Sequence, residues 1–333
     1  MFNTRIEGII KSMHQKKLDS LIALKPENIS YITGFKPSSF SALILKDEPI
    51  LFTSKLDIED ASEVSDVRVE AFTSMDDIKK KIDGKVGIES SMTVGTYKKL
   101  LNDYKTEITD VIEKARIIKS KEEVENIISA LRIAESSIMD VEFSGTENEV
   151  AAKLEYNMMI RGSSKPSFET IVASGTRSSI PHAQVTTKTL ESPVVIDWGA
   201  VYNNYSSDTT RTIIETEKQE EIFQIVLEAQ KHAIKAIKPD VNASYVDKVA
   251  RDVITEYGYG ESYIHSTGHG LGIEVHEEPS LSIKSEDILE NGMVVTVEPG
   301  IYLEGKFGVR IEDVVLVQNG AKVLSKVKKR FSF

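Results

Sequence analysis

The sequence contains no cysteine. That excludes a disulfide framework, a zinc ribbon and a thiolate nucleophile, so any metal or nucleophilic chemistry must rest on Asp, Glu, His, Ser or Thr. It also lacks a run of roughly 20 uncharged apolar residues, the length a membrane helix requires, and no membrane partner is expected. Excess positive charge is missing too, since 41 Lys and Arg against 52 Asp and Glu leave a net charge of −11. Nucleic acid and acidic membrane surfaces attract clustered positive charge, so no nucleic-acid partner is expected, and the short basic run Lys328-Lys329-Arg330 reads as a solvated tail. The opening Met1-Phe2-Asn3-Thr4-Arg5-Ile6-Glu7 has no apolar core of a secretory signal, which makes the cytoplasm the expected location. With no low-complexity segment and no short-period repeat, solenoid architectures are set aside.

What is present is globular: 333 residues, 40% hydrophobic and 28% charged, a length that favours two domains or one large one. Up to about residue 115, short apolar runs (Ser20 to Leu24, Ala42 to Leu45, Ile50 to Phe52, Lys85 to Ile88) alternate with helix-like charged stretches, the pattern of an α/β unit. Ser120 with Glu123 forms a capping box ahead of Val124, Ile127, Ile128, Leu131 and Ile138 on one helical face, which places a domain joint just before it. The expected domains are residues 1–117 and 118–333. In the second, Thr146 with Glu149 opens another helix that Gly162 stops. Further helices read from Ile222 to Ala233, stopped by Pro239, and from Val246 to Ile254, stopped by Gly258. Strand-like runs Val194 to Ile196, Thr209 to Ile214, Met293 to Val297 and Val309 to Val317 lie between them, giving an α+β class.

Two hairpins carry the chemistry. Asn203-Asn204 separates Val194 to Tyr202 from Tyr205 to Ile214, and both tolerate the positive φ of a two-residue turn. Paired positions then sum to 407, Asp197 faces Thr210, and Asp208 lies one diagonal step away on the same face, roughly 7 Å between backbones. Glu298 and Glu312 are symmetric about Gly305, in the turn Glu304-Gly305-Lys306, with positions summing to 610; in the simplest register they also share a face. Four carboxylates at buried-strand positions repel and desolvate at heavy cost unless protonated or neutralised, so cations are the simplest answer. His269, within Gly268-His269-Gly270-Leu271-Gly272, is the candidate fifth ligand, its glycines letting the backbone approach a crowded centre. Four negative charges balance two divalent ions, able to hold and deprotonate a bridging water.

The segments Ile196-Asp197-Trp198-Gly199-Ala200, Ser207-Asp208-Thr209-Thr210-Arg211-Thr212, Glu298-Pro299-Gly300 and Val309-Arg310-Ile311-Glu312-Asp313, with His269 spaced 29 residues before Glu298, resemble the Xaa-Pro peptidases (prolidase and aminopeptidase P) of the pita-bread-fold metallopeptidase family. Methionine aminopeptidases and creatinase belong to the same family. The resemblance spans almost the whole chain, because Ile29-Ser30-Tyr31-Ile32-Thr33-Gly34-Phe35 is similar to a creatinase-type N-terminal domain. It implies a pita-bread catalytic domain preceded by a smaller α/β domain that serves dimerisation and borders the cleft of the other subunit.

The same resemblance implies roles. Asp197 binds one ion, Asp208 and Glu312 bridge two, and His269 and Glu298 bind the second, with Glu298 also moving the proton of the bridging water. His182, in Pro181-His182-Ala183, and His276 would bind substrate, orient the scissile carbonyl and steady the oxyanion, and Arg310 would line the substrate site. Cofactors are two divalent ions per subunit, Mn or Co first and Fe or Zn next; the substrates are proline-containing peptides and the assembly is a homodimer. Dipeptide-restricted prolidases carry an arginine after His-Glu-x-Pro, where it receives the substrate carboxylate; here Ser280 follows His276-Glu277-Glu278-Pro279, which tilts the expectation toward longer peptides. The rivals are a methionine aminopeptidase, disfavoured by the full preceding domain, and a non-enzymatic peptide-binding pseudo-peptidase, disfavoured by the intact ligand set. Taken singly, Trp198 reads as core packing, His14 and His232 as helix-surface residues, and His265 as either a structural hydrogen-bonder or a partner that orients a carboxylate.

Overall fold

The computed structural model describes residues 2–332; Met1 and Phe333, the outer ends of the two expected domains, lie outside the described residues, as does Met1 of the stretch read for a secretory signal. Two compact units divide the chain between Arg116 and Ile117.

The first unit runs α1 (Phe2–Gln15), β1 (Ser20–Ala23), α2 (Pro26–Thr33), β2 (Ala42–Leu45), β3 (Ile50–Thr53), α3 (Ile58–Val64), β4 (Arg68–Ala71), α4 (Met75–Lys79), β5 (Lys85–Ile88), α5 (Val94–Leu100), β6 (Lys105–Ile108) and α6 (Val111–Ile117). One six-stranded sheet has the order β4-β3-β2-β1-β5-β6, in which β1, β2 and β3 meander antiparallel while β4, β5 and β6 join in parallel. The central strands are the apolar runs of the sequence; β1, β2 and β3 are wholly buried, and β5 is buried except at Lys85. The edge strands β4 and β6, Arg-Val-Glu-Ala and Lys-Thr-Glu-Ile, have no buried residue, each being exposed or half-buried, and so carry no apolar signal; charge on an edge also discourages pairing with another chain.

The second unit opens with α7 (Lys121–Ile138) and α8 (Glu147–Ile160). Both capping boxes form: the Ser120 hydroxyl accepts from the Glu123 N–H, and the Thr146 hydroxyl from the Glu149 N–H. There follow β7 (Ile171–Ser174), β8 (Val194–Trp198), β9 (Val201–Tyr202), β10 (Tyr205–Ser206), β11 (Thr209–Ile213), α9 (Glu217–Ala236) and α10 (Ala243–Glu256). The unit ends with β12 (Gly268–Gly270), β13 (Glu277–Leu281), β14 (Val294–Val297), β15 (Gly300–Leu303), β16 (Phe307–Arg310), β17 (Asp313–Val317) and β18 (Ala321–Val323). Helix α9 starts earlier than its apolar face suggests, because Thr216 and Gln219 make a third capping box.

The sheets are β11-β8-β7 and β13-β12-β14-β17-β18, with the short pairs β9-β10 and β15-β16. Ile222, Phe223, Val226 and Ala233 of α9 pack with Val246, Ala250 and Ile254 of α10 over Val295, Val297 and Val315. Ala134, Ile138, Leu154 and Met158 of α7 and α8 cover Val172, Ile196 and Trp198. Trp198 is fully buried and donates its indole N–H to the Ala134 carbonyl at 3.0 Å, the packing role expected of it. Among the described residues no helix is long and apolar enough to cross a membrane.

Candidate metal centre

The first hairpin keeps one register from end to end. Asp197 lies opposite Thr210, Ala200 accepts from Ser207 N–H, and Val201 lies opposite Ser206, all summing to 407. Asn203 and Asn204 adopt φ of 47° and 67°, the paired left-handed values of a two-residue hairpin turn. Asp208 sits one residue before β11, diagonal to Asp197 as the register requires.

The second hairpin also keeps its register, with Val297 opposite Asp313, Gly300 opposite Arg310 and Gly305 turning at φ 66°. The sequence reads Val309 to Val317 as one strand; the structure opens it at Ile311-Glu312, opposite Glu298-Pro299. Pro299 has no N–H to continue the ladder. In the gap the Glu298 N–H donates to the Thr267 carbonyl at 2.7 Å and the Glu312 N–H to the Thr210 carbonyl at 3.1 Å. Of the four carboxylates only Asp197 therefore stands inside a strand; the other three occupy strand ends, where backbones from neighbouring strands can converge.

His269 enters from β12 between Gly268 and Gly270. A Cβ on either glycine would run into a backbone carbonyl, of Thr296 and of Glu278 respectively, so the close approach requires glycine. The His269 Nδ1 lies 3.0 Å from the Gly270 carbonyl, which assigns the proton to Nδ1 and leaves Nε2 pointing at Glu298 Oε1 (3.3 Å) and Asp208 Oδ2 (3.7 Å). Donor atoms of Asp208, His269 and Glu312 all lie within 4.8 Å of one another.

Asp197 is held from behind. Its Oδ2 accepts from Arg310 Nη2 at 2.6 Å, while the same guanidinium donates to Thr210 Oγ1, the Tyr302 hydroxyl and the Pro181 carbonyl. The Tyr302 hydroxyl also lies 2.9 Å from His265 Nε2, so His265 belongs to the chain that ends on a carboxylate. Thr210 donates its hydroxyl to Glu312 Oε2 at 2.9 Å. Thr210 could have been found from the register sum, which sets it against Asp197; Tyr302 carries no comparable signal.

The electrostatics are those of a site missing positive charge. Burial, followed by repulsion from Glu312, Asp197 and Glu298, holds the Asp208 carboxyl well above the usual range. Burial and the charges of Glu298 and Asp197 do the same to Glu312, and burial raises Asp197 against the pull of Arg310. Burial would raise Glu298 as well, but the hydrogen bond and charge of His269, with His265 and Arg310, outweigh it and keep the carboxyl at about 2. His269 is the counterpart: burial lowers it, yet Glu298 raises it overall.

Three carboxylate oxygens of the cluster, Asp197 Oδ1, Asp208 Oδ1 and Glu312 Oε1, are buried with no hydrogen-bond partner among the described residues. A buried carboxylate oxygen left unpaired is costly, and three together fit oxygen-seeking divalent cations.

A cavity of about 870 Å³ opens onto this cluster, lined by His182, Asp197, Asp208, His265, His269, His276, Glu298 and Arg310. The His276 ring packs edge-on against His269, centroids 4.3 Å apart, and burial beside that ring lowers its pKa. His14 and His232 lie on exposed helix faces. The basic run at the chain end is only partly solvated, since Lys329 reaches Asp313 and Gln230 and Arg330 pairs with Glu220.

The pattern of metallopeptidase family M24 matches residues 115–319, and that of the creatinase/prolidase N-terminal domain residues 5–118. The chain is 44% identical to an Xaa-Pro dipeptidase of Pyrococcus furiosus over 98% of both chains. It superposes on the crystal structure of the prolidase from Pyrococcus horikoshii with a TM-score of 0.94 at 42% identity, covering 98% of this chain and 99% of that one. With an X-Pro aminopeptidase of Thermotoga maritima the TM-score is 0.91 at 34% identity, covering 98% and 99%.

Proposed function

Because the chain belongs to metallopeptidase family M24, with the creatinase/prolidase N-terminal domain ahead of a pita-bread domain, we propose that this metallo-exopeptidase cleaves the bond between an N-terminal residue and proline with two divalent cations. Asp197, Asp208, His269, Glu298 and Glu312 hold the ions. The observation that carries the reading is the trio of orphaned carboxylate oxygens of Asp197, Asp208 and Glu312, two of whose residues, Asp208 and Glu312, offer donor atoms within 4.8 Å of His269 and of one another. Oxygen donors with a single nitrogen suit Mn or Co, then Fe or Zn. When bound, the cations neutralise the carboxylates, lower the pKa of the attacking water and polarise the scissile carbonyl.

The chain's own residues do the rest. Glu298 is ionised in the free site and takes the proton of the attacking water, then delivers it to the departing proline nitrogen, which leaves as a secondary amine. His182 and His276, both on the cavity wall, orient the carbonyl and donate to the oxyanion. Arg310 fixes Asp197 and the Pro181 carbonyl next to His182, so it sets the geometry of ligand and substrate wall together.

Relatives named Xaa-Pro dipeptidase weigh toward Xaa-Pro dipeptides. Against this, Ser280 follows Pro279, and Arg310, among the described residues the one arginine or lysine on the cavity wall of the second unit, is already paired with Asp197; that favours acceptance of longer peptides whose carboxylate lies farther away. The test is an assay of Mn- and Co-reconstituted protein on Xaa-Pro dipeptides, Xaa-Pro-Xaa tripeptides and Met-Ala peptides. Hydrolysis confined to Xaa-Pro bonds is expected; cleavage of Met-Ala alone points to a methionine aminopeptidase, and no turnover with either ion to a peptide-binding role.

A further inference from the structure

Gln230 lies on α9, 1% exposed, and its side chain crosses to the strands that carry two of the proposed ligands. Its Nε2 donates to the Val297 carbonyl at 3.0 Å and to the Ile311 carbonyl at 3.1 Å. Val297 and Ile311 immediately precede Glu298 and Glu312. The amide orientation is over-determined, because Lys329 Nζ donates to the opposite atom, Gln230 Oε1, at 3.1 Å. Both N–H groups of one side chain thus bridge the two strands where the ladder is open.

We propose that Gln230 is a positioning residue of the metal centre, setting the separation of the Glu298 and Glu312 backbones in place of the strand hydrogen bonds that Pro299 interrupts. The inference rests on the metallopeptidase reading above. Its physical basis is that a regular ladder fixes strand separation through repeated N–H to carbonyl bonds, whereas here Pro299, opposite Ile311 in this register, has no N–H to give the Ile311 carbonyl, and Gln230 supplies one instead. Beyond the Val297–Asp313 pair that ends the regular ladder, the next link, Ile311 N–H to the Pro299 carbonyl, is long at 3.5 Å. A helix side chain then decides how far apart the two carboxylates stand. Arg211 backs the same edge from the other side, donating to the Thr210 carbonyl at 2.8 Å and to the Glu312 carbonyl. Ordinary filling of the core would satisfy Gln230 equally well with two carbonyls of one strand; bonding to one from each glutamate strand is what assigns it a positional task.

The test uses full-length Gln230→Met, which keeps the volume and removes both donors, and Gln230→Glu, which turns an acceptor toward the two carbonyls. Val226→Ala, in the same helix and core, serves as a control for general destabilisation. Calorimetric titration of the metal-free proteins with Mn²⁺ is expected to give roughly 10- to 100-fold weaker binding of at least one ion in both Gln230 variants. Turnover at saturating metal should fall in kcat with KM for an Xaa-Pro substrate nearly unchanged. If the metal-free melting points of the Gln230 variants also fall, the control decides: Val226→Ala at a matched loss of melting temperature retains wild-type Mn²⁺ affinity if the inference holds and loses it equally if the role is merely structural. Wild-type affinity in the Gln230 variants overturns the inference alone. Failure of the wild-type protein to bind any divalent ion overturns the metallopeptidase reading itself and this inference with it.

Discussion

At the scale of single residues, Arg310 holds more of the site than any one ligand does. It is buried, and its guanidinium touches Asp197, Thr210, Tyr302 and the backbone before His182. Arg310→Met would leave Asp197 buried without its partner. Removing one partner of a buried pair costs roughly 3–5 kcal/mol, and because Asp197 can take up a proton the loss in the metal-free protein should lie near the low end, about 3 kcal/mol by urea denaturation. Tyr302→Phe removes only the hydroxyl between Arg310 and His265. A stability loss of about 1–2 kcal/mol is expected, with kcat/KM reduced about tenfold. The two effects should be non-additive, since both act on one hydrogen-bond chain; additive losses in the double variant would show that Arg310 works independently of Tyr302. Arg310 was visible in the sequence as a residue beside Glu312. Its partners were not, because they come from the Pro181 loop, β8, β11 and β15, segments far from Arg310 or from one another in the chain that only tertiary folding brings together.

Secondary-structure elements explain which parts of the site could be read in advance. Both hairpin registers follow from turn chemistry plus a side-chain period of two, so the pairing of Asp197 with Thr210 and the symmetry of Glu298 and Glu312 were legible. The opening of the second ladder was signalled only by Pro299, and the charged edge strands of the first unit by nothing at all. Gly268 marks a place where elements meet tightly. Gly268→Ala would force a methyl into the Thr296 carbonyl, next to His269, and the metal-free protein should melt lower while the metal content after Mn²⁺ loading drops below the wild-type stoichiometry, read by elemental analysis. In the first unit, Asp110 joins Lys16, just past the end of α1, to Lys114 of α6. The hydrogen bond from Lys114 outweighs desolvation and, with Lys16, holds Asp110 at about 2. Because the folded value lies below the unfolded one, the contribution is present above about pH 4 and is lost as pH falls through about 2. Both groups are largely solvated, which keeps the contribution small. Asp110→Asn should lower stability slightly at neutral pH and converge with wild type near pH 2, in acid titrations followed by circular dichroism; a gap that persists unchanged at pH 2 would exclude the charge as its cause.

For the whole molecule, the decisive variable is charge. The chain carries −11, and two divalent ions would bring it to −11 + 4 = −7, with that change concentrated where Asp208 and Glu312 are already pushed far from their ordinary pKa by burial and mutual repulsion. Each unit has its own buried core, Ile22, Ile44, Phe52 and Val86 in the first and the α9–α10 core in the second, so metal removal should be felt by one core and not the other. A ligand bound only by the folded form stabilises it by RT ln(1 + [L]/Kd), about 2.7 kcal/mol per site at a hundredfold excess over Kd. For a unit the size of residues 117–333, each kcal/mol moves the midpoint by about 2–4 °C. Chelation should therefore lower the melting transition of the second unit by about 5–10 °C for each ion removed and leave that of the first unit in place, in differential scanning calorimetry. The sample must first be shown to be metal-loaded by elemental analysis. If such a sample melts at the same temperature with and without chelator, the four carboxylates and His269 do not hold structurally coupled cations, and the charge cluster must be balanced by protons instead.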